Sequence, residues 1–357
     1  MIPDGLFADL IAAARRAPSP DNMQAWVFAR AGDAIEARLE PSRVLPTDVN
    51  AMFAWVGLGA AVENLVIAAR HAGRDPEVEP GALGRDTPVI VRLGRAGEGD
   101  ALASVLHERR TDRGAFEDRP LDTGIVAALT GAAAGLAAGV HWAAGRGALD
   151  RMATMDAAST YIRLEHRPLH DELFEILRFT RHDIETTGFG LEFEALGVPG
   201  VLVWMGRLMR HAPVVGLVSR LGIGRLVARR LADRLRHAGA LCLVTARRAD
   251  AAGYVEAGRA MERIWLAATA RGLAVQPHGV MPQYLTKAAV EPETFGRYAE
   301  VIRAQQDDFD AVFPAAVGEH PAIVLRIGWA SEATARRSVR LPADRLIREG
   351  RRLDETG

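Results

Sequence analysis

Two short stretches concentrate side chains that can do chemistry. The first is Pro18-Ser19-Pro20-Asp21-Asn22-Met23-Gln24, a Pro-rich turn between a helical pattern and a strand pattern. It gathers Ser19, Asn22 and Gln24 in one small region beside turn backbone N–H groups, which suits a polar ligand or a self-capped loop. The second is Arg109-Arg110-Thr111-Asp112-Arg113, with Phe116 shortly after. Three guanidinium forks and a hydroxyl within five residues can grip a phosphate bidentately. The same run can also be a solvated cluster balanced by Glu108 and Asp112. A third candidate, Gln276-Pro277-His278-Gly279, follows a long helical pattern, and Arg336 and Arg337 add cations near the C-terminus.

Composition excludes other chemistries. Of 44 basic residues only Lys287 is a lysine, so no Walker-type phosphate loop can be written, and a Schiff-base enzyme would need that one residue, read here in a Pro-flanked loop. Cys242 is the sole cysteine and lies in the apolar run 240–246, so it reads as a packed thiol rather than a disulfide partner, zinc ligand or nucleophile. His166 and His170 are four apart, but Pro168 stands between them and no Glu follows the first His, so no metal site is expected. Gly57 and Gly59 fall inside a helical pattern and make no dinucleotide fingerprint. A net charge of −1 gives no general footprint for nucleic acid or a membrane surface. No basic-then-apolar leader opens the chain, and Arg220 and Arg225 interrupt the apolar stretch 213–228. A cytoplasmic protein of a reducing compartment is expected.

The elements that must position these residues alternate helices with short strands. Helices are expected at 6–17, 51–72, 102–108, 123–134 and 252–271, strands at 25–29, 34–40, 89–93, 140–144, 240–246 and 322–330, and mainly helical chain from 149 to 236, interrupted at 186–200. Thr47 and Asp48 are cap candidates for the 51–72 helix, and residues 272–279 read as a loop. The two long helices match at a constant offset of 199: Gly59 with Gly258, Glu63 with Glu262, Gly73 with Gly272, apolar facing apolar between them. Strand ends at 91–94 and 325–328 also match. Gly and Glu matches at one register favour a degenerate duplication, one chain imitating a homodimer.

These motifs together resemble the nitroreductase-like FMN flavoproteins, with the plan of the fused Acg-type group. The turn at 18–24 matches the family's P-S-x-x-N-x-Q turn, although Ala25 replaces its Pro before Trp26; the run from Arg109 matches its R-R-[ST]-x-R run. The helix into Gln276-Gly279, and the C-terminal strand with Arg336 and Arg337, resemble its later elements. The resemblance implies an α+β fold of two halves, 1–100 and 101–357, forming one compact unit, with a helical lid insertion at about 150–238 in the second. It implies one FMN per chain and NAD(P)H as co-substrate. Arg109, Arg110, Thr111, Arg336 and Arg337 would hold the phosphate, and Arg113 the ribityl or pyrimidine side. Ser19, Asn22 and Gln24 would contact the flavin from the other half. Gln276 and Pro277 would lie beside the flavin ring, and backbone N–H groups near His278 and Gly279 would face N5, with no catalytic side chain needed. The implied partner is a small-molecule electron acceptor, a nitro compound or quinone, with no nucleic acid or membrane, for a monomer or a homodimer of pseudo-dimers. A lid-covered, non-catalytic FMN-sequestering protein is the alternative, and a scaffold without flavin the third reading.

Overall fold

Two antiparallel sheets flank a pair of long helices. The computed structural model describes residues 1–79, 87–196, 201–209, 214, 221–332 and 337–348. After helix α1 (Asp4–Ala14), the first sheet is built from β1 (Trp26–Ala31), β2 (Ala34–Leu39), β3 (Pro76–Glu79) and β4 (Val89–Leu93), in the order β1-β2-β4-β3. The second uses β5 (Ala138–Ala143), β6 (Ala240–Ala246), β7 (Ala274–His278) and β8 (His320–Gly328), in the order β5-β6-β8-β7. Each sheet therefore runs first, second, fourth, third strand. In each, a long helix connects the second strand to the third.

Those helices are α2 (Met52–His71) and the partner that crosses it, Ala251–Thr269. Almost every side chain of α2 is buried, because it is covered on most sides. The close approach needs glycine: a Cβ on Gly59 would overlap the carbonyl of Val255, and a Cβ on Gly258 would overlap that of Val56. The contact is reciprocal, each glycine facing the backbone three residues before the other.

Between β5 and β6 the chain inserts a helical layer. It comprises α4 (Arg146–Glu165), α5 (Arg167–Ile176), α6 (Arg181–Thr187), α7 (Val201–Leu208) and α8 (Ile223–Ala232), with α3 (Thr123–Ala132) preceding β5. Pro168 sits in the first turn of α5, where its missing N–H costs nothing, and the break between α4 and α5 falls at His166. With these named, the Ala251–Thr269 helix is α9; α10 (Val280–Val290) and α11 (Ala299–Val312) lie between β7 and β8.

Several expectations are corrected. Residues 102–108 form a single 3-10 turn at Ala101–Val105, capped by the Asp100 side chain, rather than a helix. The 272–279 segment is not a loop: 274–278 pairs with β8, Gln276 opposite Arg326. Lys287 is not on a loop either; it is buried in α10, paired with Glu291 at 2.9 Å. Helix α1 stops at Ala14 because the chain must turn into the 18–24 segment.

Candidate functional site

The 18–24 turn is held in an unusual backbone conformation. Asp21, Asn22 and Gln24 all have positive φ (46°, 59° and 50°), a region that non-glycine residues occupy when surrounding contacts enforce it. Ser19 Oγ accepts from the Gln24 backbone N–H at 2.9 Å and closes the turn. The Asn22 amide donates to the Val339 carbonyl at 3.1 Å and accepts from Arg340 at 2.9 Å. Gln24 differs from expectation. It is fully buried, its Nε2 donating to the Gly188 carbonyl and its Oε1 accepting from the Leu341 N–H, both at 2.9 Å, so it clamps the turn to α6 and the C-terminal segment and does not line the cavity.

The arginine run is fastened to the second sheet. Asp112 N–H donates to the Val275 carbonyl at 2.9 Å, and Phe116 bridges Ala330. Arg326, fully buried in β8, lies over the Phe116 ring at 3.6 Å and donates to the carbonyls of Gly114 and His237. It also donates to Gln276 Oε1 at 2.9 Å, which fixes that amide with its NH₂ end free for the cavity that Gln276 lines. Burial pushes the Arg326 guanidinium down to about 9.

Along the run the side chains diverge. Arg109 turns inward, stacked on Trp265 at 4.5 Å, 3.3 Å from Glu262, and donating to the Arg16 carbonyl at 2.8 Å. Burial lowers the Arg109 pKa, with Glu262 opposing. Arg110 is exposed, and Thr111 and Arg113 are half-buried. Arg340 reaches the same region from the C-terminal segment, donating to the Arg16 and Ala17 carbonyls. Burial and the nearby Arg109 and Arg16 push it down to about 9, and its Nε has no hydrogen-bond partner among the described residues.

Two neighbouring cavities result, with three lining residues in common. A small pocket of about 20 Å³ is lined by Arg16, His107, Arg109, Arg110, Arg337 and Arg340 with the hydroxyls of Thr111 and Ser338, and by no carboxylate among the described residues. Thr111, Ser338 and Arg340 also border a chamber of about 370 Å³, within the range of ligand sites. Ser19, Asn22, Arg113, Gln276, Pro277, His278 and Gly279 all line this chamber. Helix α10 starts directly after Gly279, so its first-turn N–H groups, which no intrahelical carbonyl can take, lie beside His278. His278 Nδ1 is 3.2 Å from Asp156 of α4, and its Nε2 is buried without a partner.

The inserted layer supplies a further wall, in which Leu164, Leu169, Leu173, Phe174, Val227 and Leu231 stand beside the polar Asp156, Thr160, Arg163 and Glu172. Polar contacts hold it down, among them Arg163 to Asp21 at 2.7 Å and Glu172 to the Thr47 hydroxyl at 2.6 Å.

No family model matches the chain. It is 26% identical over 320 residues to uncharacterized protein MT1398 of Mycobacterium tuberculosis, a match covering 88% of this chain and 44% of that protein. The chain thus spans less than half the length of this curated relative. Among solved structures it is similar to the FMN- and NADPH-dependent nitroreductase NfnB of Sphigopyxis sp. strain HMH (16% identity, 70% of this chain and 99% of that one, TM-score 0.42). It is also similar to the NfnB of Mycobacterium smegmatis in complex with NADPH (15%, 70% and 98%, 0.40) and to an FMN-bound nitroreductase of Bacteroides fragilis (12%, 68% and 96%, 0.36).

Of the residues expected in the site, Arg336 lies outside the described residues. Sequence reasoning missed Arg16, Arg340, Arg163 and Asp156. Arg16 and Arg340 were legible as cations beside the chosen motifs, but 43 arginines gave nothing to single them out.

The donor set suits a phosphate-tailed planar cofactor. Five guanidiniums and two hydroxyls, with no carboxylate among the described lining residues, suit an anion in the small pocket. The chamber behind is wide and largely apolar, with polar groups at the Gln276–Gly279 strand end.

Proposed function

We propose that this chain binds FMN, phosphate in the arginine pocket and ring in the chamber, and acts as a nitroreductase-like oxidoreductase using NAD(P)H. The observation that carries this reading is that Thr111, Ser338 and Arg340 line both cavities, with both sequence motifs on their walls. When bound, FMN carries hydride between a nicotinamide and an electrophilic acceptor such as a nitro compound or a quinone. The protein's own contribution is binding and electrostatics. Arg109, Arg110, Arg337 and Arg340 neutralise the phosphate. Arg113 brings positive charge to the chamber, and the Gln276 amide, oriented by Arg326, offers a donor to a ring carbonyl. The apolar side chains from α4, α5 and α8 exclude water.

An internal duplication, with one half at 1–100 and the other at 101–357, accounts for a complete site in one chain. The shared strand order and the reciprocal Gly59 and Gly258 contacts support it.

A second reading, flavin sequestration, is favoured by one feature: the inserted layer is latched over the chamber by the Arg163–Asp21 and Glu172–Thr47 contacts. An anaerobic absorption spectrum before and after adding NADH or NADPH separates the two. Flavin bands that bleach within seconds support the reductase. Bands that survive both nicotinamides and bleach with dithionite support sequestration. A chain that takes up no FMN overturns both.

A further inference from the structure

A net charge of −1 conceals a strong local segregation. From Ala195 to Ala232 the sequence has no Asp or Glu and six arginines, set among Leu, Val, Ile, Met and Trp. Helix α8 shows how such a composition is arranged. Gly224, Ala228 and Ala232 are buried, Gly224 close to Tyr161 and Glu165 of α4. Val227 and Leu231 line the chamber. The remaining face carries Arg225, Leu226, Arg229 and Arg230, all exposed. Leu226 is 67% exposed, Leu221 just before the helix 65%, and Leu208 at the end of α7 42%. Arg225 lies over Tyr161 at 5.1 Å; Arg229 and Arg230 form no ion pair among the described residues.

We propose that this outer face of α8, with Leu221, docks on an anionic lipid surface. Large aliphatic side chains are left in water beside guanidiniums that have no carboxylate partner among the described residues, the combination that suits a helix lying at a bilayer interface: arginines among the headgroup phosphates, leucines at the acyl boundary. A nucleic-acid backbone would use the arginines and leave Leu221 and Leu226 unburied. A second copy of the chain, paired isologously through this face, would set the arginine cluster against the same cluster of the other copy. The anionic bilayer matches both the charge and the apolar content. Because Val227 and Leu231 of the same helix wall the chamber, docking would bring the chamber roof to the lipid.

The proposal is independent of the flavin reading and is tested on the full chain by co-sedimentation with vesicles. Phosphatidylglycerol mixed with phosphatidylcholine is compared with phosphatidylcholine alone, at low and high salt. The chain should pellet with the anionic vesicles only, and less as salt rises. The R225Q/R229Q/R230Q variant should bind at least about tenfold more weakly. The L221S/L226S variant should also lose binding, while both keep a thermal midpoint within about 2 °C of the parent because the sites are exposed. Pelleting with neither vesicle, equal pelleting with both, or unchanged binding by the arginine variant would overturn the proposal. So would a concentration-dependent dimer that L221S/L226S abolishes without vesicle binding in the parent.

Discussion

Glu262 is fully buried in α9, beside the inward-turned Arg109. Burial pushes its carboxyl up to about 7, with Arg109 acting against the shift. Asp48, which accepts the Phe53 and Ala54 N–H groups at the start of α2, is pushed by burial to about 7 as well. Both carboxyls therefore hold their protons in the folded chain at pH values where the unfolded chain has released them. Between about pH 4.5 and 7 the folded state binds more protons, so stability falls as pH rises through that window. Thermal melts across it should show this decline, and E262Q should flatten it. A slope in E262Q equal to that of the parent would contradict the assignment. At this scale the sequence showed which residues were chemically able, since Arg109, Arg110, Thr111 and Arg113 are neighbours in the chain. It did not show that Arg109 points inward to Glu262 while Arg110 faces solvent, because both are arginines in one run and only the packing of Trp265 separates them. Gln24 is the plainest case: its motif position suggested a ligand contact, whereas its amide is consumed by Gly188 and Leu341.

The crossing of α2 and α9 depends on two glycines where backbone meets backbone. Gly59→Ala and Gly258→Ala should each destabilise by at least about 2 kcal/mol in urea unfolding, since the facing groups are carbonyls that cannot move aside as a side chain would. A loss under about 0.5 kcal/mol at either position would mean the helices are free to separate there. These helices, β4 and β6 were legible because their apolar patterns are long or uninterrupted. Strand β7 was not. Its Gln276-Pro277-His278 sequence reads as a turn, yet it lies at the edge of the described sheet and pairs with β8, where a proline is tolerated. The 101–105 turn likewise carries a helical pattern but is cut short, because the chain must deliver Arg109 to the buried Glu262 four residues later.

At the scale of the whole molecule, the segment 337–348 runs from the proposed site to the first sheet. Ile347 bridges Phe28 and Arg348 N–H donates to the Phe28 carbonyl at 2.8 Å, so the segment carrying Arg337, Ser338 and Arg340 returns to the first sheet. With one arginine run per chain, reconstitution should give one FMN per 38.5 kDa chain, read as flavin absorbance against protein concentration. A ratio of two would require a second phosphate site without that run. The sequence by itself determined the chemistry available: abundant guanidinium, one lysine, one cysteine, a polar turn and two long apolar helices at a fixed offset. These are local properties, set by composition and periodicity. Only the tertiary structure decided that residues 16, 109 and 340 share one pocket, that Arg326 orients Gln276, and that the inserted helices close over the chamber. Those contacts join residues far apart in the chain. No spacing encodes them; they follow from how the buried faces of the two sheets and the inserted layer pack.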